Sequence, residues 1–578
     1  MLTIPYSIQN FSKFEGETIS DINYPKVLIV TLVRNKGHTL PYFLSYLENL
    51  DYPKKNISLW IRSDHNEDNT LTVLKKWLNR TKNLYYDVDY YFKEEPKFYK
   101  NETVLWPKER FEHLINLKEE ALSHSRQKNW ADFIFYLDAD VFLTNPLTLK
   151  QLVHFNLPVV SPMLKSESQY SNFWCEMEEN YYFKESFKYS VIYKGYEIDN
   201  FKVSVVLSAI LINLRDPTTE WLTFSLEKLH ENQIKHDHYT VKYDGPFDDV
   251  IIFAMSSKYF GIEQYISNIF EYGYIVQPLP EYQNLNYDML LLENIKIQMI
   301  YELEESLTLN DELKEFVQYP EPNKLSFDHI YMINLNRRPE RKHKMELQFR
   351  EMGLIVERFE ATDGREIKFD DLESMGVKIL PNYEDPILRR KIKIGEIGCF
   401  LSHYKIWEKI IELGQKEVLI FEDDVRFFPF FRTKAFHLIE EARKTANWDI
   451  LYLGRKPLNL ENEKWANSDK TLIYPGWTYW NLGYAVTLEC AKKLVAAKPL
   501  EKMLPVDEFI PIMFDQHPNN TWKTYFEDRN LVALSVYPTI LEPGYFFSEE
   551  KYVSDTEDSI IIEEDDYHHN WKIYSDEL

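Results

Sequence analysis

The chain has 578 residues, 44% hydrophobic and 28% charged, with 16 glycines and 3 cysteines. That composition belongs to a globular protein and excludes a disordered, collagen-like or disulfide-stapled chain. With 67 basic and 92 acidic residues the formal charge is −25, which excludes nucleic-acid binding through the net field and favours cations and basic polypeptides as partners.

Length alone suggests two large domains or three ordinary ones. Residues 1–24 carry neither the basic nor the apolar region of a secretory signal and read as an N-terminal extension. Residues 25–300 read as a first domain. Lys26 to Val33 is a continuous apolar run, as in a strand buried on both faces. A polar loop with Arg34, Asn35 and Gly37 follows, then an amphipathic stretch near Leu40 to Leu50. A second strand, Ser58 to Ile61, ends at Asp64, and a helix is expected near Asn69 to Asn79. A third strand, Phe133 to Leu137, runs straight into Asp138-Ala139-Asp140. This alternation predicts an α/β fold on a parallel sheet.

Residues 301–325 are charged and carry Pro320-Glu321-Pro322, so they read as a linker. The rhythm restarts over 326–546. The strands are His329 to Leu335, Glu417 to Phe421 and Asp449 to Leu453, and the basic stretch Asn336 to Arg341 opens a helix. Residues 547–578 are acidic and read as a surface tail. No apolar run approaches the ~18–20 residues that would span a bilayer.

Two carboxylate clusters sit where open α/β sheets bind ligands, at the carboxyl ends of strands. Asp138 and Asp140 repel each other unless a cation joins them, and hard oxygen ligands suit Mg²⁺ or Mn²⁺. Glu422, Asp423 and Asp424 repeat the pattern. The plainer alternatives are a solvated turn for the first cluster and a helix cap for the second. Cys175, Cys399 and Cys490 allow at most one disulfide and form no zinc-ligand pattern.

The segments Ile330 to Arg341, Phe359 to Gly364, Gly395 to His403 and Phe421 to Val425 resemble glycosyltransferase family 25. The Arg34-Asn35 loop, Asp64 and Asp138-Ala139-Asp140 resemble a family 2-like GT-A domain. The tail Ser575-Asp576-Glu577-Leu578 resembles the retrieval address of the endoplasmic reticulum. Five glycan acceptor triplets, at Asn10, Asn56, Asn79, Asn101 and Asn519, fit a lumenal protein weakly. Together the layout is similar to the procollagen galactosyltransferase branch of family 25.

The resemblance implies two tandem GT-A-like (Rossmann-like) domains. It implies metal-dependent, inverting transfer of galactose from UDP-galactose to 5-hydroxylysine in collagen, with Mn²⁺ (or Mg²⁺), in the lumen of the endoplasmic reticulum. Procollagen is the implied partner; lysyl hydroxylase and a homodimer are further expectations. It assigns metal ligation to Asp138, Asp140, Glu422, Asp423 and Asp424. It assigns nucleotide-sugar contacts to Arg34, Asp64, Asn334, Arg337, Arg341, Asp363, Glu396 and His403. Gly395 and Gly398 would admit close backbone approach to a ligand. An inverting transfer needs a base beside the acceptor hydroxyl. Asp249 is the candidate in the first domain, and Asp507, Glu508 and Asp515 compete in the second. Two alternatives stay open: a non-catalytic collagen-binding paralogue, and a transferase for another sugar or acceptor.

Overall fold

Two eight-stranded mixed sheets, each sandwiched by helices, organise the computed structural model, which describes residues 24–94, 107–167, 170–235, 243–279, 283–544, 554–556 and 558–561. The chain divides into two compact units, Met1–Ile295 with Thr308–Gln318, and Lys296–Leu307 with Tyr319–Leu578. The segment 301–325, expected as a linker, carries ordered structure. Its part in the first unit forms a 3-10 turn over Asp311–Phe316, entered where the Asn310 amide donates to Ser45 Oγ at 2.9 Å.

The strands of the first unit's eight-stranded sheet are β1 (Val27–Val33), β2 (Ile57–Ser63), β3 (Asp87–Phe92), β4 (Phe133–Leu137), β5 (Val159–Pro162), β6 (Asn200–Val203), β7 (Ala209–Asn213) and β8 (Gln264–Ser267). Their order is β6-β8-β5-β7-β4-β1-β2-β3. β4, β1, β2 and β3 run parallel, while β7 lies antiparallel to β4, pairing Ala209 with Leu137. β1, β2 and β4 are apolar runs because helices cover both faces of a parallel sheet. Helix α1 (Leu40–Asn49) follows the polar loop, α2 (Lys108–Lys128) precedes β4, α3 (Asp249–Tyr259) precedes β8, and α4 (Leu285–Leu303) follows it.

In the second unit's eight-stranded sheet the strands are β9 (His329–Asn334), β10 (Glu357–Glu360), β11 (Glu417–Phe421), β12 (Ile450–Pro457), β13 (Lys464–Trp465), β14 (Leu472–Tyr474), β15 (Thr478–Thr487) and β16 (Ala533–Val536). Their order is β10-β9-β11-β15-β12-β16-β14-β13. β10, β9 and β11 are parallel, and β15 runs antiparallel to β11. Each acid-bearing strand, β4 or β11, thus lies between the first strand of its unit and an antiparallel neighbour.

Successive side chains point to opposite faces of a strand, and in this unit both faces are core. Val418, Ile420, Ile450, Tyr452, Tyr484 and Val486 pack on one side with α6 (Ile394–Leu413) and α7 (Val506–Met513). Leu419, Phe421, Leu451, Leu453 and Ala485 pack on the other with α5 (Pro339–Glu351). Each fully buried Leu, Ile or Phe contributes about 1.5–3 kcal/mol, which fixes β11 rigidly beneath its acids.

Candidate active sites

In the first unit β4 ends at Leu137, so Asp138 and Asp140 emerge at the carboxyl edge of the sheet. They line a cavity of about 1170 Å³ that also holds Arg34, Asp64 and Asp249. The fold therefore gathers all five residues expected to act there. Two half-buried lysines share the cavity. Lys36 Nζ lies 3.2 Å from Asp140 Oδ2 and 3.0 Å from Asp288 Oδ2. Burial disfavours the ammonium, but Asp140 and Asp288 outweigh it and raise its pKa. Lys118 Nζ meets Asp249 Oδ2 at 2.5 Å. Burial pushes Asp138 up to about 6, with Lys118 opposing and Asp140 adding.

Two expectations change here. Asp64, expected as a nucleotide-sugar contact, already receives His65 Nδ1 at 3.0 Å and His113 Nε2 at 2.7 Å on its two oxygens. Burial opposes ionisation, yet these imidazoles hold its carboxyl down to about 2. Asp249, expected as a base, has its carboxylate engaged by Lys118. Its neighbour Asp248 caps α3, accepting from the amides of Val250 and Ile251.

In the second unit β11 delivers Glu422, Asp423 and Asp424. Asp423 is held by Asn334 Nδ2 at 2.7 Å and Arg341 Nη1 at 3.2 Å. Asp424 Oδ2 lies 3.8 Å from the same guanidinium nitrogen. Its Oδ1 is buried and without a hydrogen-bond partner. Glu422 Oε1 faces His403 Nε2 at 3.3 Å, and His403 Nδ1 bonds the Tyr484 hydroxyl at 2.8 Å. Helix α7 adds Asp507, which Asn481 Nδ2 holds at 2.5 Å.

Burial, reinforced by neighbouring acids, pushes Glu422 and Asp507 up to about 7 and Asp423 and Asp424 up to about 6. Arg341 offsets the three strand-end acids only partly. Burial also lowers His403 to about 4, so it stays a neutral imidazole. The strand-end acids and the orphaned carboxylate oxygen are the hard donors that Mg²⁺ or Mn²⁺ takes, while the groups of three donors lying within 4.8 Å of one another among the described residues are Asp64, His65 and His113 in the first unit and Cys399, His403 and Glu422 in the second.

Several expected contacts take other partners. Glu396 closes the capping box of α6, accepting from the Lys393 amide at 2.7 Å and from Arg390 at 2.9 Å. Asp515 lies beyond the far end of α7, about 12 Å along the axis from Asp507 at 1.5 Å per residue. It is tied to Arg529 at 3.0 Å and Lys523 at 3.3 Å, and after the burial penalty these pairs lower its pKa, which suits an anchor and not a base. Glu508 takes His517 at 2.7 Å. Asp363 accepts Arg337 Nε at 2.6 Å and the Arg365 amide at 3.0 Å.

The segment expected as a surface tail is docked over 554–556 and 558–561. Asp555 accepts from Arg337 and Arg338, and Gly395, expected to admit a ligand, admits this segment instead. Gly398 likewise admits the carbonyl of Thr362. Sequence reasoning missed Lys36, Lys118, Arg338 and Asp555. Lys36 was visible in the polar loop after β1; Asp555 was hidden in a run of acids. Ser575, Asp576, Glu577 and Leu578 lie outside the described residues, as do Asn10 and Asn101. Among the described residues all three cysteines are free, and no helix is long and apolar enough to cross a membrane.

Residues 24–296 match the family described as "Glycosyltransferase family 25, N-terminal domain", and residues 327–510 match "Glycosyltransferase family 25 (LPS biosynthesis protein)". A "Glycosyltransferase 25 family member" of Aedes aegypti is 47% identical over 93% of this chain and 87% of its own. "Procollagen galactosyltransferase 2" of Mus musculus is 39% identical over 95% of this chain and 87% of its own. "Inactive glycosyltransferase 25 family member 3" of Homo sapiens is 38% identical over 94% of this chain and 89% of its own. The two tandem α/β units are therefore GT-A-like glycosyltransferase domains, and the chain belongs to glycosyltransferase family 25.

Proposed function

We propose that this chain transfers galactose from UDP-galactose to 5-hydroxylysine of collagen, with inversion and with a divalent metal, Mn²⁺ or Mg²⁺. Transfer takes place in the second unit, in the lumen of the endoplasmic reticulum, on procollagen chains. A lysine-hydroxylating enzyme must act first, because it makes the acceptor. The carrying observation is the group of one buried acid, Asp423, and three half-buried ones, Glu422, Asp424 and Asp507, with raised pKa values and a buried, unpartnered Asp424 Oδ1. Such a group is costly unless a cation and a proton-transfer role use it.

The residues divide the work. Asn334 and Arg341 fix Asp423, so Glu422 and Asp424 keep their donor oxygens for the ion. The ion supplies Lewis-acid stabilisation of the departing diphosphate. Asp507, pushed up to about 7 and oriented by Asn481, is poised near neutral pH to take the hydroxyl proton of the acceptor. Neutral His403 faces Glu422 without adding charge. In the first unit Lys36 and Lys118 neutralise Asp140 and Asp249, which suits a supporting or acceptor-gripping role.

A relative named inactive is almost as similar as one named a galactosyltransferase, so identity does not choose between them. The intact acids of both units favour transfer. The test is galactose transfer from UDP-galactose to a hydroxylysine-bearing collagen peptide, with and without Mn²⁺, and with UDP-glucose as the competing donor. Metal-dependent galactose transfer supports the proposal. Binding of the peptide with no transfer from either donor overturns it in favour of a collagen-binding protein.

A further inference from the structure

The docked residues 554–556 and 558–561 reach the candidate nucleotide end of the second unit. The Ile394 amide donates to the Ile560 carbonyl at 2.9 Å, and the Gly395 amide donates to Ser559 Oγ at 3.0 Å. Lys393 and Ile561 form an antiparallel bridge. Gly395 makes this approach feasible: a Cβ there would stand 2.6 Å from the Asp555 carbonyl oxygen and 2.6 Å from Ser559 Oγ.

This docking inserts the Asp555 carboxylate among three arginines. Arg338 grips it as a fork, Nε to Oδ2 at 3.0 Å and Nη2 to Oδ1 at 2.6 Å. Arg337 Nη1 donates to Oδ1 at 2.5 Å. Arg341 Nη1, which holds Asp423, lies 3.8 Å from Oδ2. Only 13% of the Asp555 side chain is exposed. A guanidinium fork on two oxygens is the arrangement by which arginine binds phosphate as well as carboxylate.

We propose that Arg337, Arg338 and Arg341 form an oxyanion subsite for the diphosphate of the donor, and that Asp555 is its internal stand-in, displaced when the nucleotide binds. The proposal rests on the nucleotide-sugar reading of the second unit and adds Arg338 to its contacts. The exchange follows from charge. Guanidinium groups that share one neighbourhood repel one another unless anions join them; Asp363 pairs with Arg337 alone and Asp423 with Arg341, and Asp555 is the carboxylate that lies against all three. A diphosphate brings more charge and more acceptor oxygens to the same donors, and its metal end satisfies the acids that Arg341 now shares. Nucleotide binding then frees residues 554–561 from the arginines.

The test measures UDP and inorganic pyrophosphate binding to the full chain by calorimetry, in Mn²⁺, for the wild type, Asp555→Asn and Asp555→Glu. Asp555→Asn is expected to bind both about tenfold tighter, as loss of one competing charge pair would give. Asp555→Glu is expected to stay near wild type. Hydrogen exchange on the wild type reads the same event without a variant: UDP should deprotect the amides of 554–561. Equal or weaker UDP affinity in a folded Asp555→Asn, or added protection of 554–561 with UDP, overturns the proposal and makes the segment a fixed support. If Asp555→Asn does not fold, the exchange result decides. Failure of the nucleotide reading itself looks different, because the wild type would then bind neither UDP nor pyrophosphate.

Discussion

At the scale of single residues, environment separates carboxylates that sequence makes look alike. Asp507 is crowded by Glu422 and Glu508 in a buried site and pushed up to about 7. Asp515 is half-exposed and paired with two cations. Asp507→Asn should therefore lower kcat about 100-fold or more, the usual size of a general-base effect. Asp515→Asn should leave kcat nearly unchanged, as steady-state assays of the two variants would show. Asp64 is the opposite case. Its folded carboxyl lies at about 2, below the unfolded value, so its stabilisation is present above pH about 4. That stabilisation is lost as pH falls towards 2. It amounts to at most about 2 kcal/mol after screening through the cavity mouth. Thermal melts of Asp64→Asn should fall below wild type at pH 7, and the gap should close below pH 4.

At the scale of elements, strands were legible and partners were not. Val27–Val33, Phe133–Leu137 and Glu417–Phe421 announce themselves because a strand covered on both faces must be apolar throughout. The acids that follow were legible for the same reason, since charge straight after such a run stands at the ligand edge of the sheet. Glu396 was ambiguous because an acid three residues into a helix serves capping and binding equally well in sequence, and the structure shows the capping role. Its capping box and its pair with Arg390 predict that Glu396→Ala costs about 1–2 kcal/mol of stability. The same variant should leave KM for the nucleotide sugar within about twofold, since α6 packs through Phe400, Ile406 and Trp407 regardless. Chemical denaturation and kinetics on the one variant check both. Docking of 554–556 and 558–561 was illegible because its driving force is three arginines more than 200 residues away in sequence.

For the whole molecule, a formal charge of −25 favours a basic-bearing polypeptide over an anionic nucleotide. Raising salt from about 50 to 500 mM should therefore weaken collagen-peptide binding more than UDP binding, because long-range attraction is screened and buried ion contacts are not. Equal salt slopes by calorimetry would contradict that. The two units repeat one plan, an acid-bearing strand beside an antiparallel neighbour, yet they balance their charge differently. The first places Lys36 and Lys118 against its acids, and the second leaves its three strand-end acids largely to Arg341. That difference supports the proposal that the chemistry lies in the second unit. The most direct measurement is Mn²⁺-dependent galactose transfer by folded Glu422→Ala/Asp424→Ala beside folded Asp138→Ala/Asp140→Ala. Transfer should vanish in the first variant and persist at a measurable rate in the second; transfer retained without Glu422 and Asp424 would contradict a catalytic centre in the second unit.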